Sequence, residues 1–306
     1  MKIQEFTFPS EEKGLEISAL KFLPEKDVKG VVVLIHGMAE MKERYEPFAK
    51  FLCENGFAVY INDHIGHGKS LGNDITLGYF GKNNEGGNVF VKDVHSLFEI
   101  AKNENKGKKL FVFGHSMGSF VARLFTTRYQ NELDGVVYCG TSGPQPVDLA
   151  IKLSEFLMKV KGGKKLSSFL YSVAFANYNS KTDKRTENDW LSRDESIVDK
   201  YNDDPLCGFH FTISGLHDMF TLMKNVMEDN WFKSIDKDLP ILIISGEMDP
   251  VGNYSKGIKK FAFQMKKSGL KPQVIIYKGA RHEILNELEK EKVYEDTLNF
   301  LNSCLI

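Results

Sequence analysis

The sequence predicts an α/β protein: a mostly parallel central sheet with helices on both faces and an inserted helical cap. Three observations carry this. Short, strongly apolar runs of strand length alternate along the chain with longer segments of helical spacing. The inner runs are apolar almost without a break, as strands covered on both faces require. One long stretch, 144–229, lacks such a run and interrupts the alternation.

In chain order, Gln4 to Phe8 and Leu15 to Phe22 read as antiparallel strands. In the second, Leu15, Ile17 and Ala19 alternate with Glu16 and Ser18. Val31 to Ile35 is a largely β-branched run, and Phe57 to Ile61, Lys109 to Phe113, Val136 to Cys139, Ile241 to Ile244 and Gln273 to Tyr277 follow it. Helical patterns cover Arg44 to Asn55, Gly87 to Asn103, Met117 to Gln130, Ser255 to Ser268 and Glu283 to Asn302. Strand followed by helix followed by strand implies parallel pairing. Residues 1–143 and 230–306 then form the core, and 144–229 is a cap over the carboxyl edge of the sheet. Reacting groups in such sheets gather at the carboxyl ends of the strands.

Bulk properties narrow the function. With 306 residues, the chain can bury one substantial core plus a modest insertion. Lys and Arg number 40 against 41 Asp and Glu, so nothing invites a nucleic-acid partner. The N-terminus is too polar for a signal peptide. No stretch approaches the ~20 apolar residues of a membrane span. Cys53, Cys139, Cys207 and Cys304 are scattered and read as free thiols. The expectation is a soluble cytoplasmic protein; oligomeric state is not legible.

The central signal is Gly114-His115-Ser116-Met117-Gly118, placed directly between a strand and a helix pattern. A tight strand-to-helix turn strains the serine backbone and needs glycines where neighbouring chain passes closely. Serine attacks an acyl group only when a base removes its proton. Of 8 histidines, His282 follows the last strand and precedes the last helix, at a carboxyl strand end. Asp249 stands just past the run Ile241 to Ile244 and can fix the tautomer of His282. Glu247 is the rival acid, two residues nearer the strand.

Acyl transfer also requires donors for the oxyanion. The backbone N–H of Met117 is one, and that of Met38, in His36-Gly37-Met38-Ala39-Glu40, is the second. His36 and His115 flank glycine turns and read as structural or pocket-shaping. His64 and His67 lie in a glycine-rich loop with no further ligand cluster, so no metal is expected. His95 reads as a helix-face residue, and His210 and His217 fall in the cap, where contact with substrate is open.

Taken together, His36-Gly37-Met38-Ala39-Glu40, Arg44-Tyr45, Asp63-His64-Ile65-Gly66-His67-Gly68-Lys69-Ser70, Gly114-His115-Ser116-Met117-Gly118, Asp203-Asp204-Pro205-Leu206 and Gly246-Glu247-Met248-Asp249-Pro250-Val251 resemble the monoacylglycerol lipase and lysophospholipase group of α/β-hydrolases. The resemblance implies that Ser116, Asp249 and His282 form the triad and that Met38 and Met117 supply the oxyanion amides. It implies a lipid ester with one acyl chain as substrate, recognised under the cap, and no cofactor. Ile65 departs from the group, which more often has a basic residue there, and the cap sequence is largely its own. A short-chain carboxylesterase, thioesterase or aminopeptidase on the same scaffold remains open, as does a ligand-binding homologue without catalysis. Dehalogenases need Asp where Ser116 stands.

Overall fold

The computed structural model describes residues 1–72, 74–81, 87–175 and 177–306. One eight-stranded sheet runs in the order β1-β2-β4-β3-β5-β6-β7-β8. Its strands are β1 (Lys2–Pro9), β2 (Glu16–Leu23), β3 (Gly30–Ile35), β4 (Phe57–Asn62), β5 (Lys109–His115), β6 (Gly135–Cys139), β7 (Ile241–Gly246) and β8 (Gln273–Tyr277). β1 and β2 join antiparallel, with Phe6 opposite Ala19, and β2 meets β4 antiparallel, with Leu20 opposite Ile61. Every other pairing is parallel.

Alternate residues of each inner strand enter separate cores, which explains the unbroken apolar runs. Val31, Val33, Val112, Tyr138 and Ile243 face one side, against α2 (Asn88–Glu104), α3 (Met117–Tyr129) and α9 (Lys256–Lys267). Val32, Leu34, Phe113, Val137 and Leu242 face the other, against α1 (Glu46–Glu54) and α10 (Lys290–Ser303). Residues 144–229 carry α4 (Asp148–Lys161), α5 (Ser168–Phe175), α6 (Glu195–Asp203) and α7 (Ile213–Met227), with no strand among the described residues; residue 176 lies outside them. α8 (Asp229–Ser234) returns the chain to the sheet.

Two helix expectations need correction. The segment from Arg44 divides into a 3₁₀ turn, Lys42–Tyr45, and α1, because Pro47 in the first turn of α1 lacks an N–H to continue an α ladder. The final helix is likewise split, into a 3₁₀ turn Ile284–Asn286 and α10. Between them the Glu287 carboxylate is buried and accepts the backbone N–H groups of Arg193, Arg281 and Leu288. That anchor holds Glu287 extended (ψ 171°) and interrupts the helix.

Candidate active site

β5 ends in a turn that places Ser116 at φ +54°, ψ −122°, a strained conformation for a residue with a Cβ. The flanking glycines permit it. A Cβ on Gly114 would stand 2.2 Å from the Gly118 carbonyl oxygen, and one on Gly118 2.2 Å from the Ile35 oxygen. Helix α3 therefore crosses directly over the end of β3. The loop after β3 closes in from the other side, since a Cβ on Gly37 would lie 3.1 Å from Ser116 Cβ. Met38, next along that loop, lines the same cavity as Ser116, Met117 and His282.

Asp249 and His282 arrive on two loops held together by their backbones. Glu247 N donates to Tyr277 O at 2.9 Å and Met248 N to Ala280 O at 2.9 Å. A Cβ on Gly246 would come within 2.0 Å of the Arg281 oxygen, so only glycine allows this approach. His282 Nδ1 lies 3.0 Å from Asp249 Oδ1, and both side chains are almost wholly buried. The same oxygen accepts from Val251 N at 2.8 Å, which fixes the carboxylate's direction. Glu247, the rival acid, turns away: it is exposed, and its Oε2 accepts from Gly279 N at 3.0 Å. The five residues selected from the sequence thus converge, four on the cavity and Asp249 behind His282.

Sequence reasoning missed the ionic lattice at one wall of the cavity. Arg44 Nη1 donates to Glu40 Oε2 at 2.7 Å, and its two terminal nitrogens grip Glu283 at 2.6 Å each. Tyr45 OH donates to Glu40 Oε1 at 2.8 Å and lies 3.0 Å from His115 Nδ1. Burial would push the Glu40 carboxyl up, but His115 and Arg44 outweigh it and hold it well below the usual carboxylate range. Burial likewise opposes charge on His115, yet the hydrogen bond to Glu40 and its charge raise the imidazole above its ordinary value. The i, i+4 spacing of Glu40 and Arg44 was the signal available for one ion pair. Glu283, distant in sequence, had none. Trp190 was also missed: its ring centroid is 4.9 Å from that of His282, and its carbonyl accepts from His282 N.

The remaining histidines divide. His36, His64 and His67 pack together in the interior, with His36 and His64 ring centroids 4.3 Å apart. Burial pushes His36 and His67 down to about 3, with His64 also well below its ordinary value. His210 lines the cavity and stacks on Tyr171, whereas His217 bonds Ser154 away from it. Among the described residues, one trio could hold a metal ion, His95 with Glu99 and Glu132. Lys102 already sits on it, 3.0 Å from Glu99 Oε1, and none of the three lines the cavity.

A family model described as "Serine aminopeptidase, S33" matches residues 26–289. The chain belongs to that family. This S33 chain is a serine hydrolase of the α/β-hydrolase fold. It is 27% identical over 300 residues to a monoacylglycerol lipase of Mycolicibacterium smegmatis, covering 95% of each chain. It is 29% identical over 266 residues to the monoglyceride lipase of Homo sapiens, covering 87% of this chain and 79% of that one. Among solved structures, a thermostable carboxyl esterase from Bacillus coagulans in complex with glycerol superposes over 100% of both chains, with TM-score 0.94 and 28% identity. No helix among the described residues is long and apolar enough to cross a membrane.

Proposed function

We propose that this serine ester hydrolase acts on lipid esters with a single acyl chain, such as monoacylglycerols, through an acyl-enzyme on Ser116. Ser116 Oγ attacks the ester carbonyl carbon and its proton passes to His282, while Asp249 stabilises the imidazolium. The N–H groups of Met38 and Met117 receive the oxyanion. Collapse breaks the bond to the leaving alcohol, which takes the proton from His282. Water then attacks the acyl-enzyme, with His282 again as base, and releases the fatty acid.

One observation carries the substrate class: the cavity of about 350 Å³ that joins Ser116 to two unlike walls. Met117 and Phe120 of α3 face Met219 and Met223 of α7 and Phe175 of α5, an apolar surface suited to an acyl chain. Glu40, His115 and Glu283 form the other wall, tied by Arg44, and suit a hydroxyl-bearing alcohol. The outer face of the 144–229 segment, read as the cap, adds support. Leu149, Phe156, Val160, Leu166, Phe169 and Val173 are all exposed there, as a protein working at a lipid surface requires.

Each methylene accommodated contributes up to about 0.8 kcal/mol. On a series of p-nitrophenyl esters, kcat/KM should therefore climb from acetate toward octanoate or beyond, and monoacylglycerol should be cleaved. A profile peaking at acetate would replace the lipid reading with a short-chain carboxylesterase. Faster cleavage of aminoacyl p-nitroanilides than of any ester would favour the peptidase activity that the family description names.

A further inference from the structure

α3 buries one arginine, Arg123, two turns beyond Ser116, with both its hydrogen bonds to backbone carbonyls and two aromatic rings against its charge. The side chain is fully buried against two neighbouring rings, those of Trp231 (4.7 Å) and Phe261 (4.1 Å). Its hydrogen bonds go to backbone: Nη1 donates to Ser142 O at 2.9 Å and Nη2 donates to Val226 O. Nε has no partner among the described residues. Burial pushes the guanidinium down to about 9, so it is still charged at neutral pH. An arrangement this costly in desolvation calls for a reason.

The two carbonyls supply one. Ser142 lies just before residue 144, where the insertion leaves β6, and Val226 lies in the last turn of α7, just before the chain rejoins the core. Both ends of the insertion thus meet on a single side chain of the helix that follows Ser116. Trp231 closes the junction by donating its indole N–H to Arg123 O at 2.9 Å.

Helical spacing carries the consequence to the cavity. Phe120 stands one turn N-terminal to Arg123 on the same face of α3, and Ser116 lies in the turn that leads into that helix. Met223 and Met219 stand one and two turns N-terminal to Val226 on α7. All four line the cavity. We propose that Arg123 is a positioning residue that clamps α3 to α7 and both roots of the insertion, and so sets the width of the acyl-binding wall. The inference rests on the ester-hydrolase reading above. Arginine suits the task because its planar fork reaches two carbonyls at once while its charge lies against two aromatic rings, which lysine cannot do.

The test compares full-length Arg123→Met and Arg123→Lys with wild type. Folded variants should label at Ser116 with a fluorophosphonate as fully as wild type, and kcat/KM for p-nitrophenyl acetate should stay within about 3-fold. For octanoate it should fall about 10-fold, mainly through KM, with Lys nearer to Met than to wild type. Equal losses on both esters, or none on either, would overturn the proposal. Should the Arg123 variants fail to fold, Trp231→Phe keeps a ring over the guanidinium and removes the indole donor. It should raise KM for octanoate two- to threefold, roughly, with acetate unchanged, and an unchanged octanoate KM would count against the clamp. A wild type inactive on every ester would fail the parent reading alone. Hydrogen exchange then decides: protection in Arg123→Met should drop across residues 213–227, and unaltered protection there would overturn the clamp.

Discussion

Ser116 keeps a positive φ because Gly114, Gly118 and Gly37 let three backbone segments press against it at once. That crowding is why the serine could be singled out from the sequence: few uses of chain require small residues at both flanking positions of a strand-to-helix turn. The position of Asp249 was also legible, since it stands just past the β7 run; its carboxylate lies beside His282 Nδ1, whereas Glu247, which the sequence left as a rival, points outward to Gly279. Glu283 and Trp190 were not, because their roles depend on a packing between distant loops that no local spacing records. On this account Ser116→Ala removes nearly all esterase activity, and His282→Ala is as damaging, with the double variant no worse. A variant of either that kept a third of wild-type turnover would disprove the assignment. Asp249→Asn should lower kcat by about 10⁴, as in other triads, and Glu247→Gln by less than about 3-fold. Steady-state assays of the pair settle the acid, for reversed results would make Glu247 the partner.

At the scale of elements, the inner strands β3 to β7 fall where the apolar runs lie, because burial on two faces leaves little room for polar residues, whereas the outer β1 and β8 are partly exposed. Helix boundaries were less legible, being set by Pro47 in one case and by the tertiary anchor of Glu287 in the other. The 144–229 segment was hardest. Its large apolar residues, expected to pack or to line a pocket, divide three ways. Tyr171, Phe175, Met219 and Met223 line the cavity, Leu157, Leu170, Phe211 and Phe220 are buried, and Phe156 and Phe169 are exposed. A helix lying between a core, a cavity and solvent can be apolar on every side, so periodicity alone cannot assign its faces. Met223→Trp provides the test of the wall: it fills space that a chain would occupy. The longest ester accepted should shorten, with kcat/KM for octanoate down about 10-fold and acetate little changed. A uniform loss along the series would place Met223 outside the acyl path.

For the whole molecule, three neutral histidines in the interior tie stability to pH. His36 and His67 are held down to about 3 against 6.5 in the unfolded chain, and His64 is lowered as well. The unfolded state therefore binds more protons across that window, and stability rises with pH through it. The contribution is complete above about 6.5 and is lost as pH falls toward 3. Asp93 acts in the opposite sense. Burial raises it to about 6 from 3.8, so its contribution is present below the lower value and lost as pH climbs through the upper one. His115, raised by Glu40 despite its burial, acts in the same sense as Asp93, while His217, lowered by burial, acts with the three; four groups against two leave the lowered histidines dominant. The urea midpoint should fall steadily from pH 7 to 4.5, and a flat midpoint would contradict the neutral cluster. The central claim, that one cavity joins a reactive serine to an acyl-binding wall, is tested most directly by covalent titration. A long-chain alkyl fluorophosphonate is added in increasing amounts, while residual esterase activity is assayed and the modified peptide identified by mass spectrometry. The account predicts one adduct per chain, on Ser116, with activity falling in proportion to it and more readily than with a methyl analogue. Full activity after complete labelling, or an adduct on any other residue, would contradict it.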